Sequence, residues 1–304
     1  MSLLRDASHS LLLLAVLGCA LHAQEPNTET KPLDAPLPDI SNLMHEVERQ
    51  QRVDESIQKD YIYHEATRFE EVDGHGQTKK VVAKEFDIFW INGVNVRRQT
   101  KKDGRDLTPD ELRKENERID KEVAKGRERR DKADAKGKET DSQGNEEITV
   151  SRLLELGSFS NERRIALEGR DTIVVDFAGN PKAKTHSSAE SALKVLAGTV
   201  WIDEHDRSIV QLEGRMMDNF KVGGGLVLNV HKDTNFALHN RKVNGEAWLP
   251  VSFEAHGQAR ILLFDSLNGN VHAQFGDYRK FKTKSTLLPG MEELPPEDKP
   301  QDKP

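Results

Sequence analysis

Three residues in the second half of the chain have the types that hydrolytic chemistry uses. Asp203, His205 and Asp206 lie close together in the sequence, and carboxylates beside an imidazole can activate water or bind a metal ion. They stand between two short apolar segments, where a hairpin has to turn, and aspartate is a common turn former. We therefore interpret them as turn residues and predict no catalytic centre here.

Other patterns that carry known chemistry are incomplete. His45 and Glu46 begin a zinc-binding helix motif, but Arg49 stands where the second histidine belongs. Residues 223–225 are three glycines without the helix start and the lysine of a phosphate-binding loop, so they predict a bend or a bulge. No serine has the surroundings of a hydrolase nucleophile. Four C-terminal histidines match no metal-ligand spacing: His231, His239, His256 and His272. We predict a protein that is not an enzyme and that holds no metal or cofactor.

The single cysteine, Cys19, lies inside an N-terminal apolar segment. The preceding Val-Leu-Gly resembles a bacterial lipobox, in which the cysteine receives a lipid. The alternative is a signal peptide of residues 1–23 that is cut after Ala23 and takes Cys19 with it. Either way no cysteine pair remains, which excludes disulfides, thiol catalysis and zinc-thiolate sites from the mature chain.

The same segment predicts where the protein works. Arg5 precedes the apolar run at residues 11–17, and the chain then becomes polar and proline-rich. A charged start, a short apolar stretch and a small residue at the cut are typical of a secretory signal, and the run is shorter than the ~20 residues that span a bilayer. We therefore predict export to the periplasm or the outer membrane, with no transmembrane segment in the mature chain.

The composition allows one good hydrophobic core. Hydrophobic residues make up 35% of the chain and charged residues 32%, with a net charge of −7. This mildly acidic balance predicts no general attraction to nucleic acid. We expect a flexible tether at residues 24–38, a single folded domain at 39–282, and a disordered proline-rich and acidic tail at 283–304.

A charged insertion at residues 101–147 interrupts the domain. Thr108, Pro109 and Glu111 form the start signal of a helix. Its apolar stripe is thin, so we expect a mostly solvated helix, with disorder from residue 127 to 147. The stripe is formed by Leu112, Ile119 and Val123. Two interpretations stay open: a solubilising loop that folding does not require, and a docking arm for an envelope protein partner.

The remaining pattern is mainly that of β-strands. A helix is predicted from residue 40, with a stripe formed by Ile40, Leu43, Met44 and Val47. Shorter helices are predicted near residues 150–156 and 189–197. Strands are predicted from residue 61 onwards, including a hairpin at 198–214 and separate strands at 225–231, 251–256, 260–266 and 277–281. The fold class is therefore mainly β: a curled antiparallel sheet of about 11 strands with two or three covering helices.

The leading helix, this train of strands and the hairpin phrase Gly-Thr-Val-Trp-Ile-Asp, followed by Ile-Val-Gln-Leu-Glu-Gly, resemble the periplasmic lipoprotein-carrier superfamily. Its members are Lol-type half-barrels that include outer-membrane lipoprotein-sorting proteins. The resemblance covers residues 40–281 without the insertion. It implies an eleven-stranded sheet curled around apolar side chains, closed by helices, with a cavity for acyl chains.

Alternating aliphatic and aromatic residues mark one face of the C-terminal strands. The candidate ligand-binding residues are Leu226, Leu228, Val230, Val251, Phe253, Leu262 and Phe264. A packed core without a cavity explains the same alternation, and the family resemblance favours a pocket. The hypothesis is an exported envelope protein that binds a lipid or lipoprotein acyl chain. The alternative is an envelope protein-interaction or stress-sensing module with residues 101–147 as its docking element.

Overall fold

The computed structural model describes residues 35–135, 137, 140, 148–225, 227–261 and 265–280. The predicted signal peptide, most of the predicted tether and the predicted tail lie outside these residues. The described helices are α1 (Ile40–Gln58), α2 (Pro109–Asp134), α3 (Val150–Leu156) and α4 (Ser188–Leu193). In this part of the chain no helix combines the length and the apolar character needed to cross a bilayer.

Thirteen strands form one antiparallel sheet. They are β1 (Tyr61–Val72), β2 (Thr78–Ile91), β3 (Val94–Lys102), β4 (Arg105–Asp106), β5 (Gly157–Leu167), β6 (Arg170–Gly179), β7 (Leu196–Asp203), β8 (Ile209–Met216), β9 (Phe220–Val222), β10 (Leu228–Val230), β11 (Asn235–Val243), β12 (Ala247–Ile261) and β13 (Asp265–Lys280). The main path runs β4-β3-β2-β1-β13-β12-β11-β8-β7-β6-β5, and β10 joins it by pairing with β12. Within the described residues β4 and β5 do not pair, so the sheet is an open half-barrel, which confirms the predicted fold class.

The hairpin at residues 198–214 is confirmed as β7 and β8. Val200 lies opposite Leu212 in the register, and both contact the core beneath α1. The strand boundaries downstream were predicted wrongly. The segments at 251–256 and 260–266 were expected as separate strands, but β12 runs unbroken from Ala247 to Ile261, and 277–281 is the end of β13 rather than a strand of its own.

One glycine explains why β12 was divided in the prediction. Gly257 has the local character of a break, yet the strand continues through it because the side chain of Thr234 occupies the space that a β-carbon would need. A β-carbon at Gly257 would lie 2.3 Å from Thr234 Oγ1. The glycine therefore marks a close approach between neighbouring strands and not a turn. The predicted strand at 225–231 is also shorter, since only Leu228–Val230 pairs after the Gly223–Gly225 turn.

The main core lies on the face of the sheet that α1 covers, which we call the inner face. Leu43, Met44 and Val47 of α1 pack on Val175 and Val200 of β6 and β7. The stripe that the sequence predicted for α1 is therefore the buried one. α3 and α4 extend the cover towards β9 and β10, with Leu156 and Ala192 as their most buried apolar side chains.

The insertion helix α2 packs on the opposite, outer face. Ile119 is buried against Phe89 of β2 and Val96 of β3. β3 lies next to β4, the edge strand of the sheet. The Glu115 carboxylate accepts a hydrogen bond from the backbone N–H of Gln99 in β3 at 2.8 Å. α2 is exposed over most of its length, as expected, and its buried residues are Glu115, Ile119 and Gly126. The thin apolar stripe and the Glu115 carboxylate are enough to dock the helix on the sheet.

The helix also continues further than predicted. Disorder was expected from residue 127, but α2 runs to Asp134. Two interactions explain the extension: Lys132 pairs with Glu128 at 2.6 Å, one turn apart, and Arg130 donates hydrogen bonds to the carbonyl oxygens of Asn92 and Gly93. The C-terminal turns of α2 are therefore attached to the β2–β3 turn by the hydrogen bonds of Arg130.

We expect Ile119→Asp to destabilise the protein by about 2–4 kcal/mol, because a buried methyl-rich side chain is lost and a carboxylate meets Phe89 and Val96. Asp120→Asn, at the exposed neighbouring position, is the matched control and should stay within about 0.5 kcal/mol. Urea unfolding measures both. Equal midpoints for the two variants would support the original expectation that folding does not require the insertion.

Candidate functional site

The turn between β7 and β8 holds the residues that could have been hydrolytic. Asp203 is fully buried and accepts a hydrogen bond from Arg170 of β6 at 2.9 Å. It also accepts hydrogen bonds from the backbone N–H groups of His205 and Asp206, at 3.1 and 2.7 Å. The carboxylate thus shapes the turn, as the sequence predicted, and its charge is balanced by a guanidinium.

Asp206 is the centre of what we call the hairpin cluster. Its oxygens accept hydrogen bonds from Arg170, Lys242 and Trp248, each at 2.8 to 2.9 Å. Burial opposes ionisation of this carboxyl, but the hydrogen bonds from His205, Lys242 and Trp248 outweigh burial and lower its pKa to about 2. The cluster therefore ties the hairpin to β6, β11 and β12.

A metal ion would compete with these partners. Asp203, His205 and Asp206 each place a ligand atom within 4.8 Å of the others, but Arg170 and Lys242 already neutralise the two carboxylates. A metal ion would have to displace the side chains of Arg170 and Lys242 from these carboxylates, and breaking such buried ion pairs is unfavourable. The hydrogen bonds of these residues are suited to holding the hairpin in place.

Asp54 connects α1 to the hairpin cluster. Its side chain is fully buried and accepts a hydrogen bond from Gln50 at 2.7 Å and one from Ser208 at 3.4 Å. Burial raises its pKa from 3.8 to about 8. The sequence analysis missed this residue, although Asp54 follows Val47 by two helical turns and so continues the apolar stripe of α1, which is the signal that could have found it.

A second buried charge lies on the inner face, near the β3 edge. Glu65 of β1 is fully buried and accepts a hydrogen bond from Arg97 Nε at 2.6 Å. The Arg97 guanidinium lies 3.3 Å from the ring centroid of Phe86, and Thr67 contacts both partners. The negative charge of Glu65 and the positive charge of Arg97 balance each other. Their contact with each other and with Phe86 shows that these residues of β1, β3 and β2 lie on the same face of the sheet.

One line of apolar residues crosses the inner face from β2 to β5. We call it the apolar row, and its neighbours are paired in register. Its members are Val82, Phe69, Val271, Ala255, Phe236, Gly214, Gly198, Phe177 and Phe159. The Phe236 ring fills the space above Gly214, since a β-carbon there would lie 2.4 Å from the ring. Six members stay partly exposed: Val82, Phe69, Val271, Phe236, Gly198 and Phe159.

The predicted ligand-binding residues lie beside this row where the structure describes them. Val230 is fully buried, with Leu228 packed against the same cluster. Phe253 is buried beside Leu238, and Val251 is partly buried. Contact of these four residues with a ligand stays a prediction. The other candidates, Leu226, Leu262, Phe264 and the lipidation candidate Cys19, lie outside the described residues.

The outer face carries a broad open hollow of about 740 Å³. Its walls are about equally polar and apolar, and they include two of the four C-terminal histidines together with Phe177, Phe236 and Ala255 of the apolar row. His256 contacts Asn270 at 2.6 Å, and His272 lies 3.7 Å from Glu254. Because these imidazoles are directed at neighbouring side chains, they do not form the convergent set that a metal ion requires. The apolar row is the better candidate site.

Comparison of the chain with family models and with curated proteins found no match. Among solved structures, a putative outer membrane lipoprotein-sorting protein domain from Vibrio parahaemolyticus is 9% identical, with 81% of this chain and 95% of that chain covered and a TM-score of 0.39. A DUF1329 family protein from Desulfovibrio piger is 8% identical, with 82% and 96% covered and a TM-score of 0.36. A LolA superfamily protein from Nitrosomonas europaea is 9% identical, with 82% and 96% covered and a TM-score of 0.28. The first and third carry names from the superfamily that the hairpin phrase resembles. At these identities the likeness concerns fold alone, and function is argued below from residues of this chain.

Proposed function

We propose that this protein binds an apolar ligand, the acyl chain of a lipid or of a lipoprotein, on the inner face of its half-barrel. It acts in the cell envelope, without catalysing a reaction. The observation that carries this proposal is the partly exposed stretch of the apolar row. The N-terminal segment supports export, because its charged start and short apolar run are those of a secretory signal.

The exposed stretch has dimensions that suit an acyl chain. From Val82 on β2 to Phe236 on β11 the row crosses four strand spacings, or about 19 Å along the sheet. Phe69 and Val82 belong to none of the hydrophobic clusters formed by the described residues. Apolar side chains left outside a core gain from covering, and each methylene buried on them contributes ~0.8 kcal/mol.

The two ends of the row differ in their contact with the core: Phe159 packs against a core cluster, whereas Phe69 and Val82 do not. α1, α3 and α4 cover β6, β7, β9 and β10, where their apolar side chains fill the inner face. Ile57 of α1 packs against the cluster that contains Tyr63 of β1 and Ile88 of β2. Phe69 and Val82 lie six residues further along these two strands and belong to none of the clusters formed by the described residues. The chain thus provides a packed core at one end and accessible apolar surface at the other, which is what a carrier of an elongated ligand requires.

We expect Phe69→Asp to weaken the binding of a fluorescent fatty acid at least tenfold, because it removes about 1.5–3 kcal/mol of apolar burial and places a charge in the row. Arg68→Asp is the matched control, since it adds the same side chain at an exposed outer-face position. Probe displacement on delipidated full-length protein measures both. Unchanged affinity in a folded Phe69→Asp variant would exclude the row as the site.

The alternative function as a protein-interaction module finds less support in the structure. Its docking element was the insertion, and the apolar stripe of that helix is already used by Phe89 and Val96 of the sheet. The solvent-facing side of α2 is mostly charged, apart from the exposed Leu112, and it has intrahelical pairs such as Arg113 with Glu117 at 2.8 Å. Such pairs are satisfied without a partner. If no acyl ligand binds, the protein-interaction function becomes the better explanation of the fold.

A further inference from the structure

A buried amide without a hydrogen-bond partner lies on the outer face of β10. Asn229 stands between Leu228 and Val230, whose side chains pack into the inner-face core, so its own side chain projects from the opposite face. Asn229 is only 6% exposed, and its Oδ1 atom accepts no hydrogen bond from the described residues. A buried amide oxygen normally has a donor. Asn229 is therefore a polar group that a bound ligand would satisfy.

Two cations stand on either side of Asn229 in the register of the sheet. Lys221 of β9 and Arg260 of β12 both lie directly opposite it, so the three side chains project from the same face. Both cations are exposed, and neither side chain forms an ion pair or a hydrogen bond within the described residues. The three positions include no carboxylate. We call them the outer cation line, and it has an amide at its centre.

The turn after β9 brings the backbone close to the outer cation line. Gly223, Gly224 and Gly225 have positive φ angles of 59°, 65° and 89°, a conformation that glycine adopts without strain. A β-carbon on Gly225 would lie 3.6 Å from the Lys221 side chain and 3.9 Å from Asn229 Cβ. The turn thus covers Asn229 and adds no side chain of its own above the amide. The three glycines do not form a phosphate-binding loop, because the cations come from the neighbouring strands.

We propose that the outer cation line binds a phosphate group, which is held between Lys221 and Arg260 and hydrogen-bonded to the amide of Asn229. A guanidinium binds two phosphate oxygens at once, and the ammonium group adds a second positive charge. The Asn229 amide donates to an anionic oxygen, and its Oδ1 accepts from a phosphate hydroxyl. Sulfate and carboxylate ions lack this hydroxyl. The site lies on the face opposite the apolar row, so it is independent of the proposed function.

Thermal unfolding of the full-length protein in inorganic phosphate tests this site, since a ligand that binds only the folded state raises the midpoint. At about pH 6, where a phosphate monoester still carries a proton, phosphate should raise the midpoint more than sulfate or chloride at equal ionic strength. The double variant Lys221→Gln/Arg260→Gln should lose this rise and bind phosphate at least tenfold more weakly in titration calorimetry. The matched control, Lys79→Gln/Arg127→Gln, removes the same residue types from exposed positions and should keep both.

Asn229→Leu separates phosphate binding from a purely structural role of the amide. The substitution removes the unsatisfied buried oxygen, so without phosphate the midpoint should stay the same or rise. In phosphate the variant should show at least tenfold weaker binding than the parent protein. A folded Asn229→Leu variant with the parental affinity for phosphate would overturn the proposal, and so would a midpoint that rises equally in phosphate and sulfate or a rise that survives in the Lys221/Arg260 variant.

Lysophosphatidate and glycerol 3-phosphate distinguish a lipid headgroup from a soluble phosphate. The comparison uses the Phe69→Asp background, in which the apolar row no longer contributes to binding. An affinity for lysophosphatidate at least tenfold higher than for glycerol 3-phosphate assigns the site to a lipid headgroup, and equal affinities assign it to a soluble phosphate group. Failure of the proposed acyl function leaves the phosphate test unchanged, because inorganic phosphate has no acyl chain.

Discussion

Arg164→Ala should lower the free energy of unfolding by about 3–5 kcal/mol, because it leaves the carboxylate of Glu204 buried without its guanidinium. The Arg164 side chain is completely buried, and Glu204 is 5% exposed. The guanidinium donates from Nε to Glu204 Oε2 at 2.7 Å and from a terminal nitrogen to Oε1 at 3.1 Å. Two parallel hydrogen bonds of this kind fix both partners in position.

The same guanidinium joins three parts of the chain. It also donates to the carbonyl oxygens of Ala35 and Pro36, at 2.7 and 3.1 Å. Arg164 therefore connects the edge strand β5, the β7–β8 turn and the segment that leads into α1. Loss of these contacts should also increase amide hydrogen exchange in the first turn of α1, which covers the inner face.

Arg163→Ala is the matched control for this experiment. Arg163 is the same residue type on the same strand, but its side chain is 47% exposed and lies 3.6 Å from Asp176 at the surface. An exposed pair of this kind contributes about 0–1 kcal/mol. Urea unfolding compares the two variants. If Arg163→Ala costs as much as Arg164→Ala, burial of the guanidinium does not explain its effect.

The sequence predicted those parts of the fold that local pattern determines. The α1 stripe, the Thr108 capping box and the β7–β8 hairpin depend on residues only a few positions apart, and all three are confirmed. Gly157 was correctly expected to end α3. In each case a short-range period or capping residue is sufficient, because the interaction that it encodes is itself short-range.

The strand boundaries and the packing of α2 could not be predicted in the same way. Gly257 looks like a strand break until Thr234 is known to lie against it. Ile119 looks like part of a weak stripe until Phe89 and Val96 are known to face it. Both outcomes depend on partners that are more than 20 residues away, which single-sequence pattern does not identify.

The candidate site shows this limit most clearly. Each strand from β5 to β2 along the sheet contributes a single residue to the apolar row, so the row has no sequence pattern of its own. The alternation in β10 and β12 predicted an apolar face on these strands, and Val230 and Phe253 are buried on the inner face.

The stability of the protein should fall as the pH rises from about 4 to about 8, and Asp54→Asn should remove a large part of this dependence. Burial in the folded protein raises the pKa of Asp54 from 3.8 to about 8. Between these values the folded state holds a proton that the unfolded chain has released. Each pH unit in this window therefore favours unfolding by ~1.4 kcal/mol, and the contribution levels off above about pH 8.

The surroundings of Asp54 support this direction. The negative charge of Asp206 raises the pKa further, whereas hydrogen bonds from Gln50 and Ser208 and the positive charge of Lys242 lower it without cancelling the effect of burial. A neutral carboxyl at this position lets α1 pack against the hairpin cluster. An ionised Asp54 carboxylate would be buried beside the negative charge of Asp206. Ionisation should therefore weaken the contact between α1 and the hairpin cluster.

Urea unfolding at about pH 5 and about pH 8 measures the dependence, with the difference between parent and variant isolating Asp54 from all other titrating groups. Glu55→Gln is the matched control, because Glu55 is the next residue of α1 and pairs with Lys59 at 3.6 Å on the helix surface. It should keep the full slope of the parent. A parent and an Asp54→Asn variant with the same slope would show that Asp54 is ionised in the folded protein.

Since α1 covers the inner face, the slope predicts in addition that acyl ligands exchange faster at about pH 8 than at about pH 5, and that Asp54→Asn abolishes the difference.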